Sequence, residues 1–172
     1  MTDRMSFHIK GALRLAEPYH LAAVGLPSVV LLNGVTFADD PEHGRLITIA
    51  DLPGLHRAIG LHIVAKPEPI TGDELRFIRK QMRMTQEALA LRLRVDAQTV
   101  ANYEKGKTHM GAADATVRLL YALHVLPPEA KPEFVRAFMD AIAALLPAPV
   151  MPEALTRKLT GDWRADKVLQ AA

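Results

Sequence analysis

Met84–Thr108 reads MTQEALALRLRVDAQTVANYEKGKT, and the organisation of the chain follows from this stretch. Thr85 is a good N-cap, with Gln86 at the mouth of the helix that follows. Asp96 is a second N-cap, two residues beyond the point where that helix ends. Two short helices joined by so tight a turn must cross at a large angle, which describes a helix-turn-helix. Ala90 is small where the two helices would touch, and Val100 fills the core side of the second. Gln98, Thr99 and Asn102 fall on the opposite face. They are short, polar and mostly amide-bearing, the side-chain types that read base edges. A generic helix pair with a solvated polar face accounts for the same pattern, so patterning alone leaves both open.

The helical pattern continues on either side. Leu75, Ile78 and Met82 mark one apolar stripe, Leu89 and Leu93 a second, and Val95, Val100 and Tyr103 a third. Thr116–Val125 is a further helix. Three proline breaks divide the chain: Lys66-Pro67-Glu68-Pro69, Leu126-Pro127-Pro128, and Leu146-Pro147-Ala148-Pro149 with Pro152. These give a small strand-and-helix part over 1–65 for dimerisation or partner binding and a linker at 66–71. A helical domain with a C-terminal helix follows over 72–146, then a tail or short helix over 147–172. In the first part Val29–Leu32 is a strand and Asn33-Gly34 a two-residue hairpin signal, with Val35–Phe37 as the return strand. Leu46–Ile49 is a third strand. Asp51 caps a helix with Pro53 in its first turn and Leu55, Ile59 and Ile63 at helical spacing. Pro132–Leu146 is an amphipathic helix with Phe134, Phe138, Ile142 and Leu145 on one side.

Composition narrows the function classes. The 172 residues carry 21 Lys+Arg against 19 Asp+Glu and no cysteine. Disulfides, thiolate zinc sites and cysteine nucleophiles are excluded. No apolar run is long enough to cross a bilayer and no secretory signal is evident, so a cytoplasmic protein is expected. By segment the charge is informative. Residues 1–70 carry net −1, residues 71–126 net +3 and residues 127–172 zero. The surplus coincides with the helix-turn-helix pattern. Seven histidines invite a metal, but no H-x₃-H or H-E-x-x-H spacing occurs. His43 among Asp39, Asp40 and Glu42 is the best cluster, and a solvated turn is the simpler reading. No hydrolase, nucleotide or dinucleotide motif is present, so neither an enzyme nor a bound cofactor is expected.

TQEALALRLRVDAQTVANYEKGK resembles the Cro/repressor (XRE) class of helix-turn-helix regulators. Thr85, Gln86, Glu87, Leu89, Ala90, Leu93, Val95, Val100, Tyr103, Glu104 and Gly106 carry the resemblance, which spans Thr71–Leu126, about a third of the chain. It implies a mainly α fold: a five-helix, lambda-repressor-like domain preceded by the small α/β part, a hairpin plus a helix. The helix over 97–105 would enter the major groove, with Gln98, Thr99 and Asn102 facing bases. Thr85, Gln86, Lys105, Lys107, Thr108 and His109 would contact phosphates. Arg79 and Glu104 would form a structural ion pair.

Arg83 and Arg94 stand where the class often has glycine at positive φ, which costs another residue about 1 kcal/mol. Either the local geometry adapts or these arginines add phosphate contacts. The implied function is a dimeric repressor, its own promoter included, on a palindromic double-stranded operator. LLNGVTF (31–37) and DLPGLHRAIG (51–60) resemble, more weakly, antitoxin-like regulators. The alternative they carry is a type II antitoxin that neutralises a toxin partner, with DNA binding secondary.

Overall fold

The computed structural model describes residues 4–143, 161 and 163–165. The described elements are six α-helices and six short strands, with two single-turn 3₁₀ segments at Ala22–Val24 and Pro128–Ala130. The chain divides into two compact units, one running to Ile59 with the described C-terminal residues, the other over the described residues 60–143.

The first unit holds a four-stranded sheet in the order β2-β3-β1-β6, built from β1 (Met5–Ile9), β2 (Tyr19–His20), β3 (Val29–Leu31) and β6 (Trp163–Ala165). β1 runs parallel to β3, with Met5 opposite Val29, and antiparallel to β6. β1 and β3 supply buried apolar side chains, among them Phe7, Val29 and Leu31. The segment expected as a tail or short helix therefore contributes a sheet strand at 163–165. Apart from 161 and 163–165, residues 144–172 lie outside the described residues, including the end of the expected 132–146 helix.

The hairpin forms one strand later than expected. Asn33-Gly34 does not fold β3 back on itself. Asn33 is buried, and its amide ties down the end of β1: Oδ1 accepts from Ile9 N–H (2.6 Å), while Nδ2 donates to the Ile9 and Ala12 carbonyls (both 3.0 Å). An amide held on three backbone groups is a sheet connector, and Gly34 (φ 74°) turns the chain out of the sheet. The hairpin is β4 (Val35–Asp40) with β5 (Gly44–Ile49), closed by Asp40, whose Oδ1 accepts from the Glu42 and His43 N–H groups. His43 Nδ1 lies 3.0 Å from the same oxygen. The acidic His43 cluster is thus the turn of this ribbon. Among the described residues no three His, Asp or Glu side chains converge on a possible metal position.

α1 (Leu52–Ala65) begins at Asp51, whose Oδ1 accepts from Gly54 N–H at 3.0 Å, closing the first turn around Pro53. Leu55, Ile59 and Ile63 are all buried. The division between units falls inside this helix, not at the 66–71 segment expected as a linker. The physical reason is Arg118. It is 5% exposed, and its guanidinium donates to the carbonyls of Ile63, Val64, Lys66 and Glu68 at 2.6–3.0 Å. These carbonyls include orphans that a helix C-terminus leaves without partners. Asp114 accepts from Arg118 Nε and from the Ile70 N–H. The proline segment is therefore fastened to the second unit and is not a free tether.

The second unit continues with α2 (Gly72–Gln81), α3 (Gln86–Leu93), α4 (Ala97–Glu104), α5 (Ala113–Val125) and α6 (Lys131–Ala143). α2 opens with a capping box: Thr71 Oγ1 accepts from Glu74 N–H, and Glu74 accepts from Thr71 N–H. Lys66 Nζ holds the same Glu74 carboxylate at 2.8 Å. Leu75, Ile78, Leu89, Val100, Val117 and Tyr121 form the buried interior. Phe134 and Phe138 of α6 are buried and stacked, their centroids 5.8 Å apart.

Candidate nucleic-acid interface

α3 and α4 are short, and each is started by a side chain chosen for the purpose. Thr85 Oγ1 accepts from Ala88 N–H (3.0 Å), and Asp96 Oδ1 from Thr99 N–H (2.6 Å). Both caps have extended backbone, so the chain enters each helix at a sharp angle. These hydrogen bonds hold the Asp96 carboxyl below the usual carboxylate range.

All three helices of this group end the same way, on one residue in the left-handed region: Arg83 (φ 55°) after α2, Arg94 (φ 59°) after α3 and Gly106 (φ 66°) after α4. In each case the next residue's N–H reaches five back, Met84 to the Arg79 carbonyl, Val95 to Ala90 and Lys107 to Asn102. These six-to-one bonds satisfy end carbonyls that would otherwise be orphaned. The backbone geometry does not adapt to arginine; the arginines adopt the glycine conformation. Both are exposed.

The centre of the arrangement is Glu104, 4% exposed at the end of α4. Arg79 grips it with two bonds, Nε to Oε1 at 2.5 Å and Nη2 to Oε2 at 3.0 Å. Such a fork matches carboxylate geometry and fixes direction as well as distance. Arg79 Nη1 also donates to the Met84 carbonyl, in the turn before α3. Gln86 Nε2 donates to Glu104 Oε2 at 2.8 Å. One carboxylate thereby joins the end of α2, the start of α3 and the end of α4. Burial pushes the Glu104 carboxyl up. The hydrogen bonds from Arg79 and Gln86 and the nearby Arg79 and Arg76 charges outweigh it, leaving the group below its ordinary value.

The face left outward is polar and basic. Gln98 is exposed, Thr99 and Asn102 half-buried, and Gln98 Nε2 donates to Asn102 Oδ1 at 3.1 Å across one turn of α4. Thr85, Lys105, Lys107, Thr108 and His109 are all exposed. Two of the expected contact residues are bonded inside the domain. The Gln86 amide nitrogen donates to Glu104 within the domain. The Thr99 hydroxyl donates to Asp96 Oδ2 at 3.0 Å and works with its N–H to close the cap. Gln98 and Asn102 remain as the amides with unfilled bonding capacity on the exposed side.

A family model described as helix-turn-helix matches residues 75–112, from the middle of α2 to the loop before α5. The central segment is an XRE-like helix-turn-helix. No curated protein and no solved structure matches the chain. The helix-turn-helix supports a DNA-binding role in transcription regulation. Among the described residues no helix is long and apolar enough to cross a membrane.

Sequence reasoning did not find Arg76, half-exposed and with Nε 3.5 Å from Glu104 Oε2. Its place three residues before Arg79 on one helix face was the available signal. Nor did it find Gly72. A Cβ there would lie 2.5 Å from the Glu104 carbonyl oxygen, and no local pattern announces a contact between residues so far apart in the chain.

Proposed function

We propose that the chain is a sequence-specific regulator that binds a palindromic double-stranded operator as a homodimer and represses transcription, its own promoter included. α4 is the recognition helix and lies in the major groove. Gln98 and Asn102 read base edges, since each amide offers a donor and an acceptor to pair with a base. Arg83, Arg94, Lys105, Lys107, Thr108 and His109, with Thr85 and the α3 N-terminus, hold phosphates and set register. Dimerisation supplies a second helix about 34 Å away, because one recognition helix reads few base pairs.

The observation that supports this reading is the outward amide pair on α4, flanked by exposed cations and mounted on a scaffold locked through Glu104. A pre-organised reading face loses little freedom on binding. The test is a salt-dependent mobility shift on the protein's own promoter with wild type, Gln98→Ala, Asn102→Ala and the double variant. Each single change is expected to weaken specific binding by about 1–3 kcal/mol while leaving non-specific binding in place. Undiminished specific binding by the double variant would refute the assignment of the face.

A further inference from the structure

The β4–β5 ribbon has no other strand beside it among the described residues. Two-stranded ribbons are marginal in water without further cover. This one exposes apolar side chains: Phe37 is 40%, Leu46 45% and Ile47 43% exposed. Its two edges differ. β4 carries Asp39 and Asp40, a charged guard of the kind that blocks edge pairing. β5, Gly44-Arg45-Leu46-Ile47-Thr48-Ile49, has a single charge and neither proline nor lysine.

The register decides what the β5 edge offers. Ala50 N–H donates to the Gly34 carbonyl at 2.9 Å, which makes 34 and 50 a hydrogen-bonded pair. Antiparallel pairs alternate. The pairs Thr36–Thr48 and Ala38–Leu46 then use their backbone groups inside the ribbon, and Arg45, Ile47 and Ile49 turn theirs outward. We propose that the β5 edge is the self-association surface, pairing antiparallel with β5 of a second copy about a two-fold axis at Ile47. The two Ile47 residues form the central hydrogen-bonded pair, and Arg45 of each copy meets Ile49 of the other. Phe37 lies opposite Ile47 within each ribbon, so one face of the resulting four-stranded sheet carries the row Phe37, Ile47, Ile47, Phe37. The acidic β4 edges end up on the two outer sides, as far apart as the sheet allows, and no like charges face each other across the axis.

This surface supplies the two-fold that the dimeric operator reading needs, and its own test requires no DNA. The chain has no cysteine, so a single introduced thiol reports one position. Ile47→Cys is expected to oxidise to a disulfide-linked dimer, because a central hydrogen-bonded pair has a Cα separation of about 5.5 Å, within disulfide range. Ala38→Cys, on β4, is expected to stay reduced. Light scattering after size exclusion is expected to give twice the 18.9 kDa chain mass for wild type and the single mass for Ile47→Lys, with Thr36→Lys still dimeric and circular dichroism unchanged in both. A wild-type monomer at every concentration overturns the proposal. So does a dimer in which Ile47→Cys does not cross-link or Ile47→Lys still pairs. A cross-linked dimer that shifts no promoter DNA upholds the surface and overturns the operator reading instead.

Discussion

Arg83 and Arg94 hold a backbone conformation that L-residues other than glycine avoid, at a cost of about 1 kcal/mol each. They keep it because the six-to-one bonds at the ends of α2 and α3 leave no other path into the next helix. Both side chains are exposed, and the proposed function has them on phosphates. Arg94→Gly is expected to leave stability unchanged or raise it by up to about 1 kcal/mol, the relief being partly offset by a freer unfolded chain. The same change is expected to weaken binding to all DNA sequences alike and to lower the salt slope by about one unit. Thermal unfolding read beside the mobility shift separates the two effects. A loss confined to one operator sequence would contradict the phosphate role.

Between elements, Glu104 and Gly72 carry the most. Their neighbours place the α2 start against the α4 end with no room for a methyl group. Gly72→Ala is expected to destabilise by about 1–3 kcal/mol, as overpacking against an unyielding backbone does, and to lower the melting temperature by several degrees. An unchanged melting temperature would mean that the close approach relaxes freely. Glu104→Ala is expected to be worse, about 3 kcal/mol or more in chemical denaturation, because Arg79 would be left nearly buried without its partner. The helices themselves were legible: Thr85 and Asp96 announce their N-termini, and Leu75, Ile78, Leu89 and Val100 at helical spacing mark the buried side. The hairpin was misplaced by the same kind of local reading. Asn33-Gly34 is a strong turn signal, but the buried Asn33 side chain bonds to Ile9 and Ala12, partners more than twenty positions away that no short window contains.

For the molecule as a whole, acid should be a sensitive variable. Glu104 has a folded-state pKa below its unfolded one. Its contribution is therefore present above the ordinary carboxylate value, about 4.3, and is lost as pH falls through the lowered folded value. His56 is shifted down by burial, so the native state also binds its proton less readily than the unfolded chain, and stability declines as pH drops below about 6.5. Denaturation midpoints measured from pH 7 to pH 3 are expected to fall in both windows. Glu104→Gln is expected to flatten the lower one and leave the upper one intact. A variant that tracks wild type below pH 4.5 would show that the Arg79 fork does not stabilise the fold.

The sequence by itself determined the helix-turn-helix: its caps, its apolar spacing and the outward position of Gln98 and Asn102 are set by neighbours within a few turns, whereas the Arg79–Glu104 pair, 25 positions apart, was implied by the family resemblance alone. Only the tertiary structure decided which polar side chains stay available. It turned Gln86 onto Glu104, fastened the 66–71 segment through Arg118 and brought 163–165 beside β1. The Gln86–Glu104 and Arg118 contacts are buried or part-buried polar groups finding partners far off in the chain, and strand 163–165 pairs with β1 from more than 150 residues away, so only folding brings these together.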